Sequence, residues 1–422
     1  MADHPNLSYD EIYKDVDAWL QEHWDVSRGL AAWREILVEG GWAAPTWPEE
    51  YYGRNFSIEQ AGAVNQAFDD HGAVGVAQGG PGRLASHTIL VHGTDAQKKK
   101  YLRPILTGEA SWCQLFSEPG SGSDLAGLAT KAEKDGDRWV MNGQKVWNTS
   151  AHHADFGILV ARSDWDVPKH QGISYFLINM RQPGVEVRPL RQMNGHASFN
   201  EVFMADAEVL AEDLLGAEGE GWKIAATTLS AERQGFGGDR SGGKVKDLPG
   251  PIYAEYRDEL AIALEPYTWY PQRAGRVDLV MPRAMETGAI SDPHVRQELA
   301  KLIAMKKASD LAAASAVEKR RAGNSNVIPE GSIGKLAASV IARQASHVHT
   351  LVSGTDSMLK GADSPMDGVI AEILISVPAI SIAGGTDEIQ KNIISERVLE
   401  LPKEPRFDTG PFRDVPRNLA DI

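Results

Sequence analysis

The chain has 422 residues, enough at roughly 150 residues per domain for about three domains. Hydrophobic residues make up 42% and charged residues 24%, which excludes a wholly disordered chain, a coiled coil and a collagen-like fibre. Lys plus Arg is 43 against 58 Asp plus Glu, a net charge of −15, so non-specific nucleic-acid binding is not expected. A few placed arginines and helix N-termini can still hold an anionic ligand. The single cysteine, Cys113, excludes an internal disulfide and any multi-cysteine zinc or iron–sulfur site. That usage fits a reducing compartment. The N-terminus is polar and acidic, without a signal-peptide pattern. The longest apolar stretch, Val369 to Ala383, is interrupted by Glu372 and Pro378 and is too short to cross a bilayer. A cytoplasmic protein with no membrane partner is expected.

Residues 1–109 read as an α-helical domain. Tyr13, Val16, Trp19 and Leu20 share one face at helical spacing, and Arg28 to Val38, Ile58 to Asp70, Leu84 to Val91 and Asp95 to Leu102 repeat the pattern. Gly41 to Pro48 is a proline-punctuated loop. Residues 110–215 turn strand-like, with short apolar runs at Phe156 to Ala161 and Ile173 to Ile178. Lys134 to Arg138 is a hairpin signal. Closely spaced short strands predict a β-barrel or a small sandwich. Residues 216–401 are helical again. One helix is predicted over Trp222 to Arg233, and another opens at Ser291-Asp292-Pro293 and runs to Arg321. Gly323 to Asn326 ends it, and helices follow at Ser332 to Ser353, Met366 to Ser376 and Asp387 to Leu399. Long helices with alanine-rich faces pack as a bundle. The tail, 402–422, has several prolines and no period, and is expected to fray or wrap on a neighbour. Helices, then strands, then helices give a multidomain α+β class and disfavour a Rossmann unit.

Two motifs are decoys. Gly238 to Lys244 has the spacing of a P-loop, but Val245 stands where a magnesium-holding hydroxyl belongs and a helix precedes it. His152-His153 has no third ligand at useful spacing, so no metal site is expected. A third motif is specific. Glu118-Pro119-Gly120-Ser121-Gly122-Ser123-Asp124 follows the apolar run Trp112 to Phe116, and its glycines permit close backbone approach to a ligand. Further on comes Asn142-Gly143-Gln144-Lys145-Val146-Trp147-Asn148-Thr149. A tryptophan there offers a large flat apolar face.

Together with Trp42-Ala43-Ala44-Pro45 and Ala383-Gly384-Gly385-Thr386-Asp387-Glu388-Ile389-Gln390, these segments resemble the acyl-CoA dehydrogenase family of flavoproteins over nearly the whole chain. The resemblance implies an N-terminal α-helical domain, a β-barrel and a C-terminal four-helix bundle. It implies FAD, with Gln114, Phe116 and Ser117 on the strand that meets the flavin ring, Trp147 beside the isoalloxazine and Thr149 at its N5/O4 edge. Gly122 and Ser123 match positions near the FAD pyrophosphate and the CoA chain, and Thr386 and Glu388 positions near the ribityl and the flavin edge. The family reaction removes the α-proton of an acyl-CoA thioester and passes the β-hydrogen as hydride to flavin N5. A carboxylate in a dry site suits that proton transfer.

In many members the base directly precedes the Gly-Thr of the C-terminal signature, where this chain has Gly384. Others, such as isovaleryl-CoA dehydrogenase, carry it on the first helix of the bundle, which matches Ser230-Ala231-Glu232-Arg233. Glu232 is therefore the expected base, with Arg233 beside the CoA chain and Gly384 leaving room at the acyl end. Asp387 and Glu388 are runners-up, although acidic residues also suit the start of a helix. Family homotetramers complete each FAD site with Arg-x-x-Phe-Gly and Gln-x-x-Gly-Gly motifs from a neighbour. Arg233 to Gly237 has the letters of the first motif too early, Tyr267 to Gly275 stands at its proper place, and His349 to Gly354 lacks the second. The pattern resembles one subunit of a heteromeric, steroid-degradation type. The expected function is FAD-dependent α,β-dehydrogenation of a bulky or branched acyl-CoA, in fatty-acid or steroid side-chain β-oxidation. Electrons would pass to an electron-transfer flavoprotein, within a homo- or hetero-tetramer. The alternatives are a flavin-poor accessory subunit and a flavin monooxygenase on the same fold.

Overall fold

The structure, a computed structural model, describes residues 7–77, 79–235, 248–321, 328–361, 364–406 and 408–415. The P-loop-like stretch Gly238 to Lys244 and the stop at Gly323 to Asn326 lie outside them. Five helices open the chain: α1 Tyr9–His23, α2 Leu30–Glu39, α3 Ile58–His71, α4 Gly80–His92 and α5 Asp95–Thr107. Ser8 with Glu11, Ser57 with Gln60 and Thr94 with Gln97 form reciprocal capping boxes at the starts of α1, α3 and α5. Ile12, Val16, Leu20, Trp33 and Leu37 bury the apolar stripes of α1 and α2 in one core. Helix α5 runs past Pro104, beyond the expected end at Leu102.

The middle layer is one sheet of eight strands: β1 Trp112–Leu115, β2 Lys131–Asp135, β3 Arg138–Val146, β4 Phe156–Arg162, β5 Ile173–Asn179, β6 Val185–Leu190, β7 Phe199–Leu210 and β8 Leu214–Leu215. The order is β6-β7-β3-β2-β4-β5-β8, with β1 parallel to β4 off that path. Asp135 faces Arg138 across a turn at Gly136, whose φ of +64° is the left-handed value the hairpin requires. Among the described residues the hydrogen-bonded path is open, with β6 and β8 at its ends, so the predicted barrel is corrected to a sheet that does not close. Its apolar runs are continuous because β4 and β5 are buried on both faces. Ile158, Val160, Tyr175 and Leu177 meet α4, α5 and the next helix, whereas Leu159, Ala161, Phe176 and Ile178 pack with Trp139, Met141 and Val202 of the same sheet.

The remaining helices are α6 Gly221–Gly235, α7 Pro251–Leu264, α8 Tyr270–Arg273, α9 Val277–Glu286, α10 Pro293–Arg321, α11 Ile328–Ser353, α12 Val369–Ser376 and α13 Asp387–Arg397. Val280, Leu299, Leu302, Ile341 and Val348 join α9, α10 and α11, and α13 packs on α11. Helix α7 turns away. Ile252, Tyr253 and Tyr256 enter the N-terminal core, Glu255 accepts from the Leu30 N–H at 2.6 Å, and Glu259 pairs with Arg34. Helix α12 starts later than Met366, because Met366 and Asp367 take φ of +55° and +53°. Residues 408–415 return to the chain's own sheet domain, where Pro411 bridges to Pro168. Phe412 is buried against the chain's own sheet with the Arg162 guanidinium 3.4 Å from its ring centre, and Lys169 reaches Asp408 at 2.6 Å.

Candidate active site

The turn after β1 is built by charge. Glu118 and Ser121 exchange backbone hydrogen bonds of 2.9 and 3.0 Å. The Glu118 carboxylate accepts from the N–H groups of Ala129 and Thr130, and from the Lys145 ammonium at 2.8 Å. Lys145 is fully buried and also donates to the Phe116 carbonyl at 3.0 Å. Burial disfavours the charge on Glu118, but Lys145 and the hydrogen bonds outweigh it and hold the carboxyl below its usual range. This pair fixes the loop Gly120 to Asp124 against β3. Gly122 and Ser123 are exposed at its tip, and a Cβ on Gly122 would meet nothing within 4 Å.

Trp147 ends β3 at a φ of +64°, a strained value for a bulky residue. Its neighbours hold it there. Val146 N–H donates to the Ser117 carbonyl at 2.9 Å, and Asn148 and Asn200 exchange backbone bonds at 3.1 Å. Asn148 also donates its side chain to the Gln114 carbonyl at 2.8 Å. The result presents the indole to solvent, 55% exposed, with one edge against Phe199 at 5.7 Å. Among the described residues the hydroxyls of Ser117, Ser123 and Thr149 make no hydrogen bond within the chain. The Oδ1 of Asn148 is buried without a partner. An uncovered aromatic face, a cradle free of side chain at Gly122 and unused polar atoms around Trp147 fit a bound flavin nucleotide. Phe116 lies beneath this surface, edge-on to Tyr175 at 5.9 Å.

Glu232 sits in the last turn of α6. Ala225 and Thr228 are buried on the same helix face, and Glu232 continues that stripe one turn further as a half-buried residue. Thr228 anchors the helix through hydroxyl contacts with Thr88 at 2.9 Å and Tyr175 at 3.0 Å. The Glu232 charge reaches two tyrosines of the segment before α9. Burial, then Tyr270, then Glu232 push the Tyr267 phenol up; Tyr270 is raised by burial and by Glu232 against the pull of Arg273. Gly80, at the start of α4, makes room for this segment, since a Cβ there would stand 3.1 Å from the Tyr267 hydroxyl. Trp269 is buried, donates to Ser198 at 3.0 Å, and lies edge-on to Phe199 and to Tyr270. The rings Trp147, Phe199, Trp269 and Tyr270 thus form a continuous run from the tip of β3 to the surroundings of Glu232.

The signature loop leads into α13, on the bundle. Thr386 caps α13, accepting from the Ile389 N–H at 3.3 Å. Glu388 is exposed. Asp387 is buried and meets Arg343 at 2.6 Å, Ser339 at 2.9 Å and Lys335 at 3.3 Å. Burial raises its carboxyl, but Ser339, Arg343 and Lys335 prevail and hold it below its usual range, which makes Asp387 an anchor and a poor base. Gly384 has φ of +68°, and a Cβ there would meet nothing within 4 Å. Arg233 lies on α6, and its side chain is outside what the structure describes. His152 meets the Asn200 amide at 3.1 Å, and among the described residues no group of three or more His, Cys, Asp or Glu could hold a metal. The ion pair Glu118–Lys145 and the roles of Asn148, Asn200 and Trp269 were not read from the sequence. The lysine lies in the Trp147 motif itself, a charged residue on an otherwise apolar strand face, and that was the available signal.

A helical layer, a mixed sheet bearing an uncovered tryptophan, and a C-terminal layer of long helices define an acyl-CoA dehydrogenase scaffold. Models of the acyl-CoA dehydrogenase N-terminal, middle and C-terminal domains match residues 6–109, 113–207 and 277–399. The chain belongs to the acyl-CoA dehydrogenase family. It is 34% identical over 388 residues to the acyl-CoA dehydrogenase IpdE1 of Mycobacterium tuberculosis, covering 89% of each chain. It is 29% identical to the (2S)-methylsuccinyl-CoA dehydrogenase of Cereibacter sphaeroides, covering 87% of this chain and 63% of that one. The ChsE4-ChsE5 complex from Mycobacterium tuberculosis shares the fold with a TM-score of 0.64 at 24% identity, over 96% of this chain and 100% of that chain. The Tcur3481-Tcur3483 steroid ACAD shares it with a TM-score of 0.65 at 22% identity, over 94% and 98%. The enzyme class is therefore an acyl-CoA dehydrogenase.

Proposed function

We propose that the chain carries out FAD-dependent α,β-dehydrogenation of a bulky or branched acyl-CoA, with Glu232 taking the α-proton. The observation that carries this reading is the position of Glu232, at the end of the buried stripe of α6 and within electrostatic reach of Tyr267 and Tyr270. When bound, FAD would accept the β-hydrogen as hydride. Gln114, Phe116, Ser117, Trp147 and Thr149 would hold its ring, Gly122 and Ser123 its pyrophosphate side, and Thr386 and Glu388 its ribityl side. The chain's own part is to cover the ring with Trp147, exclude water with Trp269 and Tyr270, and hold the proton on Glu232. Gly384 leaves the acyl end open. The resemblance to steroid ACADs supports a steroid side-chain thioester as the bulky group. Electrons would leave to an electron-transfer flavoprotein, in the cytoplasm. Among the described residues no helix is long and apolar enough to cross a membrane.

A related second subunit completes the reading. The segment that replaces the donor motif is used inside its own chain, since Trp269 is 1% exposed. His349, at the second motif, is buried against the carbonyls of Gly275 and Arg276. Neither is available to a neighbour's flavin, which favours a hetero-oligomer over a homo-oligomer. The test is anaerobic titration of the flavin-loaded protein, alone and with its partner chain, with straight, branched and steroid side-chain CoA thioesters. Bleaching of the flavin band with formation of a 2-enoyl-CoA is expected. No bleaching by any thioester, with the partner present, contradicts the reading.

A further inference from the structure

Residues 408–415 lie past the end of the matched C-terminal domain model at residue 399, and two routes join them to the loop that carries Gly122 and Ser123. The segment is docked on the sheet domain. The Phe412 N–H donates to the Val167 carbonyl at 2.9 Å and the Arg413 N–H to the Trp165 carbonyl at 3.0 Å. The first route is ionic. The Lys169 ammonium, on a side chain only 9% exposed, donates to both Asp124 oxygens at 2.8 Å and meets Asp408 at 2.6 Å. Its three protons thus have three acceptors, two on the loop and one on the segment. Arg406 stands 3.2 Å from the other Asp408 oxygen. The second route runs through Arg162, which is fully buried. Its guanidinium lies 3.4 Å from the Phe412 ring centre and donates to the carbonyls of Ala126 at 2.7 Å, Leu128 at 3.0 Å and Lys169 at 3.0 Å. Ala126 and Leu128 follow the loop directly, and the loop's own turn is closed by the Ser121 hydroxyl donating to the Asp124 carbonyl at 2.6 Å.

Burial decides what these contacts are worth. A lysine–aspartate pair in open water contributes little, because both ions are hydrated and both side chains are mobile. The Asp124 side chain is 58% exposed, so the cover over Lys169 sets how firmly the pair holds. Asp408 adds a second carboxylate to that ammonium, and Pro411 bridges to Pro168 beside it. On the other flank Glu118 and Lys145 fix the same loop to β3. Gly122 and Ser123 therefore stand between two anchors, with the tip itself exposed. A loop ordered before its ligand arrives loses less freedom on binding. We propose that Lys169 and Asp408 are positioning residues, through which segment 408–415 holds loop 120–124 in place for the FAD pyrophosphate. This rests on the reading of that loop as part of the flavin site.

The experiment follows release of FAD from the flavin-loaded protein, with its partner chain where one is required, by the flavin fluorescence recovered on dilution. Asp408→Asn should speed release by about 3- to 10-fold, a share of one charge-assisted hydrogen bond, since lost contacts act mainly on dissociation. Phe412→Ala cuts the second route and should act in the same direction. Asp408→Glu should restore part of the wild-type rate. The change should appear in the KM for FAD and not in kcat at saturating FAD, the pattern of lost binding without lost chemistry. Trp147→Ala is the reference, because it strips the flavin face and leaves both routes intact. If it speeds release while Asp408→Asn and Phe412→Ala keep the wild-type rate, the proposal is overturned and the flavin site stands. Lower kcat and melting temperature without any change in release would make the segment a brace of the fold alone, and also overturn it. If none of the three variants alters release, the reading of the loop and Trp147 as a flavin site falls, and the proposal with it.

Discussion

Trp147 stands at a φ of +64° with more than half its surface in water, an arrangement that folding alone does not reward. A ligand stacked on the indole gives that conformation a use. Trp147→Ala should therefore leave thermal stability within about 0.5 kcal/mol of wild type, yet weaken FAD binding by about 10-fold, the scale of one aromatic contact. Flavin retention on gel filtration and a calorimetric melt check both halves. Lys145 makes the opposite case. It is fully buried, and removing its charge strands Glu118, whose side chain is only 9% exposed. Lys145→Met should cost about 3–5 kcal/mol in a denaturant melt, and adding Glu118→Gln should recover part of it. If the single variant melts like the wild type, the pair does not hold the loop that carries Gly122 and Ser123.

At the scale of elements, the end of the chain is clasped to the sheet by charge. Asp408 meets Lys169 at 2.6 Å, and that hydrogen bond holds its carboxyl down at about 2, against an ordinary value of 3.8. A depressed carboxyl contributes its stabilisation above the unfolded value and loses it as pH falls through the folded one. Hydrogen exchange at the amides of Phe412 and Arg413, which donate to the carbonyls of Val167 and Trp165, should therefore be faster in Asp408→Asn than in wild type above pH ~4. The difference should shrink as pH falls towards 2. Helix α7 shows what local sequence does not reveal. It was not among the elements read from the sequence, and only the fold shows that Glu255 and Glu259 serve Leu30 and Arg34, far away in sequence. The helices α1 to α5 were legible because each apolar stripe repeats within a few turns, with local capping boxes added at α1, α3 and α5. Sheet closure was not, since it depends on tilt and stagger accumulated over all the strands.

Across the whole molecule, the order of helices, sheet and bundle was readable because each layer keeps its own apolar period. The residues of the candidate site were nameable by resemblance, but the commitment of Asp387 to Lys335 and Arg343 exists only in three dimensions. A hetero-oligomer makes a further prediction at this scale. The purified chain alone should hold well under one FAD per protomer, and addition of the related subunit should raise occupancy with a matching rise in assembly mass; full, tight occupancy by the lone chain would remove the second subunit from the account. The whole reading turns on Glu232 acting as the base. The direct measurement is exchange of the acyl α-hydrogen with D2O, followed by mass spectrometry, in the flavin-loaded wild type and in Glu232→Gln. Exchange and turnover should fall together by about 10²–10⁴-fold in the variant, with thioester binding kept; a variant that exchanges and turns over like the wild type would contradict the assignment.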